Sequence, residues 1–284
     1  MKRIFLVGCP RSGTTLLQSI LASHPDIISF PETHLFSKTI SINSLVRFFT
    51  IYGEKHIDTL REICKDLGVS DNSVSNIKTP VFSTKGWIAV LLDQLDAIAN
   101  HFSPKELPGY LLEKTPRHLH FINEIQSVAP EAQFIHIIRK GEDVVASLHQ
   151  ATSNSPEHWE GSRSLKKSVF WWNRSIRISS GYIGKRNQHF VLYQDLIDHP
   201  EKTVSTLLEK LNFSYSDDLF DSFNETAESL INKEETWKAK NYSSELSTSQ
   251  KFEQLTSDEQ NYVKRSLISF DYSGISINAA DNGY

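Results

Sequence analysis

The chain alternates short apolar runs with segments in which apolar residues recur every three or four positions. This pattern is typical of strands alternating with helices. The first apolar run ends at Gly8, and a helical pattern with its apolar residues on one face follows over 14–23. Later segments of both kinds predict strands at 27–30, 109–113, 133–138 and 188–193, and helices at 119–128, 141–150, 164–183 and 200–211.

Two regions depart from this alternation. Residues 33–108 predict a mainly helical insertion with a helix near 85–102, and we expect acceptor binding there, because specificity often lies in such insertions. Residues 232–284 are polar and predict a C-terminal segment with one helix near 258–269. No linker long enough to divide domains occurs. We therefore predict a single α/β domain over 1–284, a parallel sheet with helices on both faces.

Composition sets limits on the kind of ligand. The 284 residues are 39% hydrophobic and 23% charged, as is ordinary for a soluble globular protein. The net charge of −4 predicts no general attraction to nucleic acid or to an anionic membrane, so an anion site must be a local cluster. Cys9 and Cys64 form neither a disulfide framework nor a metal-ligand pattern. No apolar segment is long enough to span a membrane, and we expect a cytoplasmic protein of undetermined oligomeric state.

The loop after the first strand has the spacing of a phosphate-binding loop. Gly8 and Gly13 are separated by four residues and followed by Thr14 and Thr15, which is the Walker A pattern with threonine in place of its lysine. A helix that begins there offers free N–H groups and the positive end of its dipole to an anion. Arg11 adds a permanent charge suited to phosphate or sulfate. The alternative is an ordinary turn between a strand and a helix.

Polar residues follow several of the predicted strands. Glu32, Lys114, Arg139 and Tyr193 each come at the end of an apolar run. Parallel strands end at one edge of a sheet, so the cations among these residues would gather there with Arg11 and bind a small polyanion. The alternative is that charged residues often end strands because the chain meets water there.

Two segments resemble the cofactor motifs of sulfotransferases that use 3′-phosphoadenosine 5′-phosphosulfate (PAPS). Residues 10–16, Pro-Arg-Ser-Gly-Thr-Thr-Leu, resemble the 5′-phosphosulfate loop, most closely that of protein-tyrosine and bacterial sulfotransferases. Residues 139–147 resemble the segment whose arginine and serine bind the 3′-phosphate, although Lys140 stands where the family usually has an acidic residue. The resemblance is weak across 35–105. It implies that the cofactor is held by Arg11, Ser12, Gly13, Thr14, Thr15, Arg139, Ser147, Tyr193 and, more weakly supported, Lys251.

The resemblance also implies a catalytic apparatus. Glu32, within Pro-Glu-Thr-His, corresponds to the glutamate base of tyrosine sulfotransferases, and Lys114, within Glu-Lys-Thr-Pro, to the lysine near the transferred group. Arg11 and Lys114 would stabilise the sulfuryl oxygens and the leaving phosphate of 3′,5′-ADP without a metal ion. His34 is a rival base. His136, inside an apolar strand, is expected to be a core residue, and Trp171 and Trp172 to be packing residues.

The sequence leaves the acceptor and two other functions open. The acceptor hydroxyl could belong to a small molecule, a carbohydrate or a peptide tyrosine. Apolar residues in the insertion favour a hydrophobic acceptor slightly, but they could equally be core: Leu35, Phe36, Phe48, Phe49 and Trp87. A small-molecule kinase with a degenerate P-loop is the second hypothesis, disfavoured by Thr14 and by the basic pair Arg139-Lys140. A non-catalytic nucleotide-binding module is the third.

Overall fold

The described residues of the computed structural model are 1–70, 72–102, 109–159, 161–216, 218–221, 226, 227, 230, 251–273 and 275. The strands within them are β1 Lys2–Gly8, β2 Ile27–Ser29, β3 Tyr110–Lys114, β4 Gln133–Ile138 and β5 Gln188–Leu192. The helices of the first half are α1 Thr14–Ala22, α2 Leu35–Thr39, α3 Ser44–Phe49, α4 Glu54–Asp66, α5 Asn72–Ser75 and α6 Thr84–Phe102. Those of the second half are α7 Ile122–Val128, α8 Gly141–Asn154, α9 Leu165–Ser180, α10 Tyr193–Asp198, α11 Pro200–Lys210 and α12 Ser257–Ser266. Two 3₁₀ helices span Pro116–Phe121 and Pro156–Trp159.

The strands form one parallel sheet in the order β2-β3-β1-β4-β5, flanked by helices. Strand β1 pairs with β3 from Lys2, opposite Tyr110, to Leu6, opposite Lys114. Residues 4–8 of β1 are buried, as expected of a strand covered on both faces. The α/β fold expected from the sequence is therefore confirmed.

The chain forms two compact units, each built from segments that are not consecutive in the sequence. The first contains the described residues of 1–7, 15–134 and 218–242, and the second those of 8–14, 135–217 and 243–284. The boundary passes through the P-loop, with Thr14 in the second unit and Thr15 in the first. The interpretation of 1–284 as a single domain stays a prediction.

The first unit builds its core on aromatic side chains. The rings of Phe5 and Phe134 are stacked with centroids 5.2 Å apart, and Phe36 meets Phe5 edge to face. Helix α6 buries Trp87, whose ring stacks on that of Tyr52 at 5.1 Å. Leu35, Phe36 and Trp87 are thus core residues, whereas Phe48 and Phe49 are exposed.

The core of the second unit fixes the C-terminal segment. Phe252 and Val263 are buried in one cluster with Cys9, Trp172 and other apolar residues of α8 and α9. The Asn173 amide strengthens this attachment, because its nitrogen donates to the carbonyl of Ser266 at 2.9 Å and its oxygen accepts from the N–H of Ile268. A capping box of Thr256 and Glu259 begins α12. Lys251 is therefore held beside a buried anchor residue.

Most predicted elements are present, with shifted ends. The predicted helix over 119–128 begins as the 3₁₀ helix at Pro116, since proline suits the first position of a helix. The strand predicted to end at Tyr193 ends at Leu192, and Tyr193 begins α10. The insertion over 33–108 is mainly helical as predicted, but residues 71 and 103–108 lie outside the described residues. Residues 232–250 of the predicted C-terminal segment also lie outside the described residues.

Gly8, the last residue of β1, gives a test of this packing. A Cβ atom at Gly8 would lie 2.7 Å from the carbonyl oxygen of Ile137, closer than backbone atoms allow. We expect Gly8→Ala to lower the free energy of unfolding by about 1–3 kcal/mol through overpacking, measured by urea denaturation. Gly109→Ala is the matched control, because nothing lies within 4 Å of its added Cβ. Equal stability of the two variants would contradict the close approach.

Candidate active site

The P-loop joins β1 to α1 through two residues with left-handed backbone. Gly13 has φ +92°, and Arg11, although not glycine, has φ +74°. A Cβ atom at Gly13 would lie 2.3 Å from Cδ2 of Tyr193, so only glycine fits above that ring. The Ser12 and Thr14 side chains of the same loop are buried. Strained backbone at a bulky residue such as Arg11 is typical of functional loops.

The side chain of Arg11 belongs to a cluster of the second unit. Its Nε donates to Oγ of Ser147 at 3.2 Å. The Arg139 guanidinium lies 4.2 Å from the ring centroid of Tyr193, and an Arg139 N–H reaches the carbonyl of Arg11 at 3.5 Å. Trp172, expected to pack in the core, also donates to the carbonyl of Arg139 at 3.2 Å. One arginine of the P-loop and the arginine after β4 are thus brought together with Ser147 and Tyr193.

Lys251 adds a third cation to this cluster. Burial lowers the pKa of its ammonium, and the charges of Arg11 and Arg139 lower it further. Among the described residues, the carboxylate of Asp143 lies close to this cluster, with its Oδ2 3.7 Å from Nε of Arg139. Burial raises the pKa of Asp143, whereas the cations Arg139 and Lys140 oppose that shift. Three half-buried or buried cations that repel one another favour the binding of an anion with several charges.

Glu32 and Lys114 form the centre of a second cluster, in the first unit. Lys114 Nζ donates to Oε1 of Glu32 at 2.6 Å, and the side chains are only 3% and 12% exposed. The same ammonium donates to Oγ1 of Thr15 at 3.3 Å. On the other side, His34 Nε2 lies 3.5 Å from Oε2 of Glu32, and the His34 backbone is left-handed with φ +55°. This places a carboxylate, an ammonium and a P-loop hydroxyl in one row.

The group that supports this row is the carboxylate of Glu113, which was not among the predicted site residues. It is fully buried in β3 and accepts from Oγ1 of Thr33 at 2.9 Å and from Oγ1 of Thr115 at 2.7 Å. Its other oxygen lies 2.8 Å from Nδ1 of buried His118. Thr33 directly follows Glu32, and Thr115 directly follows Lys114. The sequence signal for a buried charge was a glutamate directly after the apolar residues Leu111 and Leu112 of β3.

The environment of Glu113 keeps it charged despite its burial. Burial by itself would raise the pKa of the carboxyl, but the charge and hydrogen bond of His118 and the two threonine hydroxyls outweigh it, so the pKa lies below the usual 4.5. Each of these partners stabilises the ionised form. Glu113 therefore accepts hydrogen bonds from both loops that carry the Glu32–Lys114 pair.

Two residues near the site are structural. His136 is buried in β4 between Oγ of Ser179 at 3.0 Å and Oε1 of Gln188 at 2.8 Å, and burial lowers its pKa to about 4. It is a core histidine, as expected. Cys9, at the start of the P-loop, is also buried, and burial raises the pKa of its thiol to about 12.

The residues that the structure describes contain neither a cluster of metal ligands nor a membrane-spanning helix. Among them, no group of three or more His, Cys, Asp or Glu side chains is placed to hold a metal ion. Within the same residues, the helices are too short or too polar to cross a membrane.

Comparisons with known proteins place this geometry in a family. A model of the sulfotransferase family matches residues 3–217. Protein-tyrosine sulfotransferase 1 of Danio rerio is 27% identical over 220 residues, which are 76% of this chain and 55% of the relative. The protein-tyrosine sulfotransferase of Drosophila melanogaster is 26% identical over 222 residues, 76% of this chain and 39% of the relative. The match thus spans about half or less of the length of these relatives.

One solved structure shows the same fold. A sulfotransferase domain from the curacin biosynthetic pathway superposes with a TM-score of 0.54, at 16% identity, over 99% of this chain and 95% of that domain. At this identity the likeness concerns the fold alone. The family model, by contrast, matches well over half of the sequence and includes both segments that resemble cofactor motifs. The chain therefore belongs to the sulfotransferase family.

Proposed function

We propose that the protein is a sulfotransferase that moves the sulfuryl group of PAPS to a hydroxyl acceptor, with 3′,5′-ADP as the second product. The observation that carries this proposal is the cluster of Arg11, Arg139, Ser147 and Lys251 in the second unit. A nucleotide with phosphates at both its 3′ and 5′ positions suits several separate cationic groups. Family membership supports the same assignment.

The residues of the second unit fit the nucleotide part of such a ligand. Arg139, Ser147 and Lys251 would hold its 3′-phosphate, while Arg11, Ser12, Gly13 and Thr14 would hold the 5′ end with N–H and hydroxyl donors. Tyr193 supports this arrangement, because its ring packs against both Gly13 and Arg139. The donors are cationic or neutral, as an anionic ligand requires.

The residues of the first unit fit the transfer itself. PAPS supplies an activated sulfuryl group, and the acceptor oxygen bonds to sulfur as the bond from sulfur to the 5′-phosphate oxygen breaks. Glu32 takes the proton of the acceptor hydroxyl as general base. Lys114, which contacts both Glu32 and Thr15, stabilises the negative charge that develops on the leaving phosphate.

The acceptor is proposed only at the level of its chemistry. Because the matching relatives are named protein-tyrosine sulfotransferases, a tyrosine hydroxyl in a peptide is the first acceptor to test. Sugar and small-molecule hydroxyls are the next ones. A cytoplasmic location stays a prediction.

The nucleotide specificity can be tested by thermal shift without an acceptor. We expect 3′,5′-ADP to raise Tm in the absence of metal, and ATP with Mg²⁺ to raise it little, because ligands that bind the native state stabilise it. Arg139→Ala should weaken 3′,5′-ADP binding about tenfold to hundredfold by removing a charge-assisted contact. Arg186→Ala, at an exposed arginine, is the control. A large Mg²⁺-dependent shift with ATP and none with 3′,5′-ADP would instead indicate a kinase.

The choice of base can be tested with a pair of variants. Glu32→Gln keeps the shape of the side chain but cannot take a proton, so we expect kcat to fall by about 10²–10⁴-fold with nearly unchanged affinity for 3′,5′-ADP. His34→Asn should reduce kcat much less. The measurement is transfer of labelled sulfate from PAPS to a tyrosine peptide or a phenol. A nearly inactive His34→Asn beside an active Glu32→Gln would assign the base to the histidine.

Glu113 should act on the reaction as a positioning residue. Glu113→Leu removes both carboxylate oxygens and leaves Thr33, Thr115 and His118 without their buried acceptor, which should cost about 3–5 kcal/mol of stability. Because the two loops lose their common acceptor, kcat should fall while the affinity for 3′,5′-ADP, measured by calorimetry, stays the same. An equal loss of kcat and of cofactor affinity would indicate general unfolding of the site instead.

The same variant predicts a dependence of stability on pH. The pKa of Glu113 is lower in the folded than in the unfolded protein, so its contribution is present above about pH 4.5 and lost as the pH falls below that value. Urea unfolding should therefore show a larger difference between wild type and Glu113→Leu at pH 7 than at pH 4. A difference that grows on acidification would contradict this assignment.

A further inference from the structure

Six large apolar side chains in one part of the insertion are exposed to solvent. Four of them are at least 70% exposed: Leu45 at 71%, Phe48 at 80%, Phe49 at 77% and Phe82 at 73%. Val46 and Ile51 are at least half exposed. We call these six residues the apolar patch. Aromatic side chains present about 150–250 Å² each, so the patch is at least as large as the largest apolar patches of ordinary monomers, about 300–600 Å².

The backbone brings the six residues together. Helix α3 carries four of them, and the rings of Phe48 and Phe49 meet edge to face at 5.1 Å. An antiparallel bridge between Tyr52 and Val81 sets the next residues, Ile51 and Phe82, opposite each other. Thr84 Oγ1 also donates to the carbonyl of Arg47 in α3 at 2.9 Å. The patch is therefore one surface formed by two segments of the chain.

Anchors beneath the patch hold its side chains outward. Arg47 forms an ion pair with Glu124 at 2.8 Å and lies over the ring of Phe121. Tyr52 is fully buried against Trp87, so its neighbour Ile51 faces outward. The Asn43 side chain caps α3 by accepting from the N–H groups of Leu45 and Val46. Exposure of the apolar side chains thus follows from a well-bonded local structure.

The two segments that form the patch contain basic residues and no acidic ones. Residues 33–53 and 72–92, which contain the patch, include no aspartate or glutamate, although acidic residues outnumber basic ones in the whole chain by 34 to 30. The same two segments contain three exposed lysines, Lys38, Lys78 and Lys85. The nearest exposed carboxylate in sequence, Glu54, accepts a hydrogen bond from Thr79 at 2.9 Å. An apolar surface whose own chain segments carry exposed lysines complements an apolar surface that carries negative charges.

We propose that the apolar patch binds the protein to the surface of an anionic phospholipid bilayer, without crossing it. Phenylalanine and leucine side chains would enter the boundary between headgroups and acyl chains, and the lysines would contact anionic headgroups. The net charge of −4 argued against such binding. However, charges further than about 8 Å apart are largely screened at physiological salt, so the lysines near the patch in sequence determine its attraction to anionic headgroups. This proposal does not depend on the proposed sulfotransferase activity.

Co-sedimentation of the full chain with vesicles tests the proposal. We expect binding to vesicles of phosphatidylcholine with phosphatidylglycerol, weaker binding to phosphatidylcholine alone, and a decrease at 0.5 M salt, roughly where screening becomes short-ranged. The double variant Phe48→Ser/Phe49→Ser should lose about tenfold or more in partitioning. The double variant Lys38→Gln/Lys85→Gln should bind the vesicles that contain phosphatidylglycerol more weakly. Its binding to vesicles of phosphatidylcholine alone should not change.

Phe170→Ser is the matched control, because Phe170 is 52% exposed but lies in α9, outside the patch. It should bind vesicles as the wild type does. Circular dichroism checks that every variant is folded. Absence of vesicle binding by the wild type, or equal loss in Phe170→Ser, would overturn the proposal. A dimer in sedimentation velocity that the Phe48→Ser/Phe49→Ser variant dissociates, together with no vesicle binding, would assign the patch to a second copy of the chain.

Discussion

A carboxylate buried without compensation would destabilise any fold, and the first unit of this protein is arranged around one. Glu113 lies within the sheet, where its charge is tolerated because three side chains donate to it. Two of those donors adjoin the residues of the Glu32–Lys114 pair. Satisfying the buried charge and fixing the reactive pair are thus one structural requirement. A neutral residue at 113 would remove the need for both threonine hydroxyls.

The second unit shows the opposite arrangement, a cluster of positive charges. Burial lowers the pKa of Lys251, and the charges of Arg11 and Arg139 lower it further. The fold bears this repulsion by anchoring each group separately: Arg139 against Tyr193, and Lys251 beside buried Phe252. The repulsion among these fixed cations decreases when a polyanion binds between them.

Much of this could be predicted from local sequence. Buried parallel strands are continuous apolar runs, so β1 and β4 were located closely, and the resemblance of residues 139–147 to a phosphate-binding segment grouped Arg139 with Ser147. The Glu113 network could not be predicted, because it depends on the pairing of distant segments, Thr33 with Glu113. Nor could the surface position of Phe48 and Phe49 be told from a core position. Their sequence neighbourhood resembles that of Phe36, which is buried, and only the anchoring of Arg47 and Tyr52 separates the two cases.

The burial of Cys9 has a consequence for the redox chemistry of the protein. Thiolates, and not thiols, react with peroxides, disulfides and alkylating agents. With its pKa raised to about 12, Cys9 stays protonated at any physiological pH, and the apolar residues around it restrict access to the sulfur. A cysteine inside the P-loop would otherwise expose cofactor binding to oxidation. Thiol-directed reagents should therefore leave this position unmodified while the protein is folded.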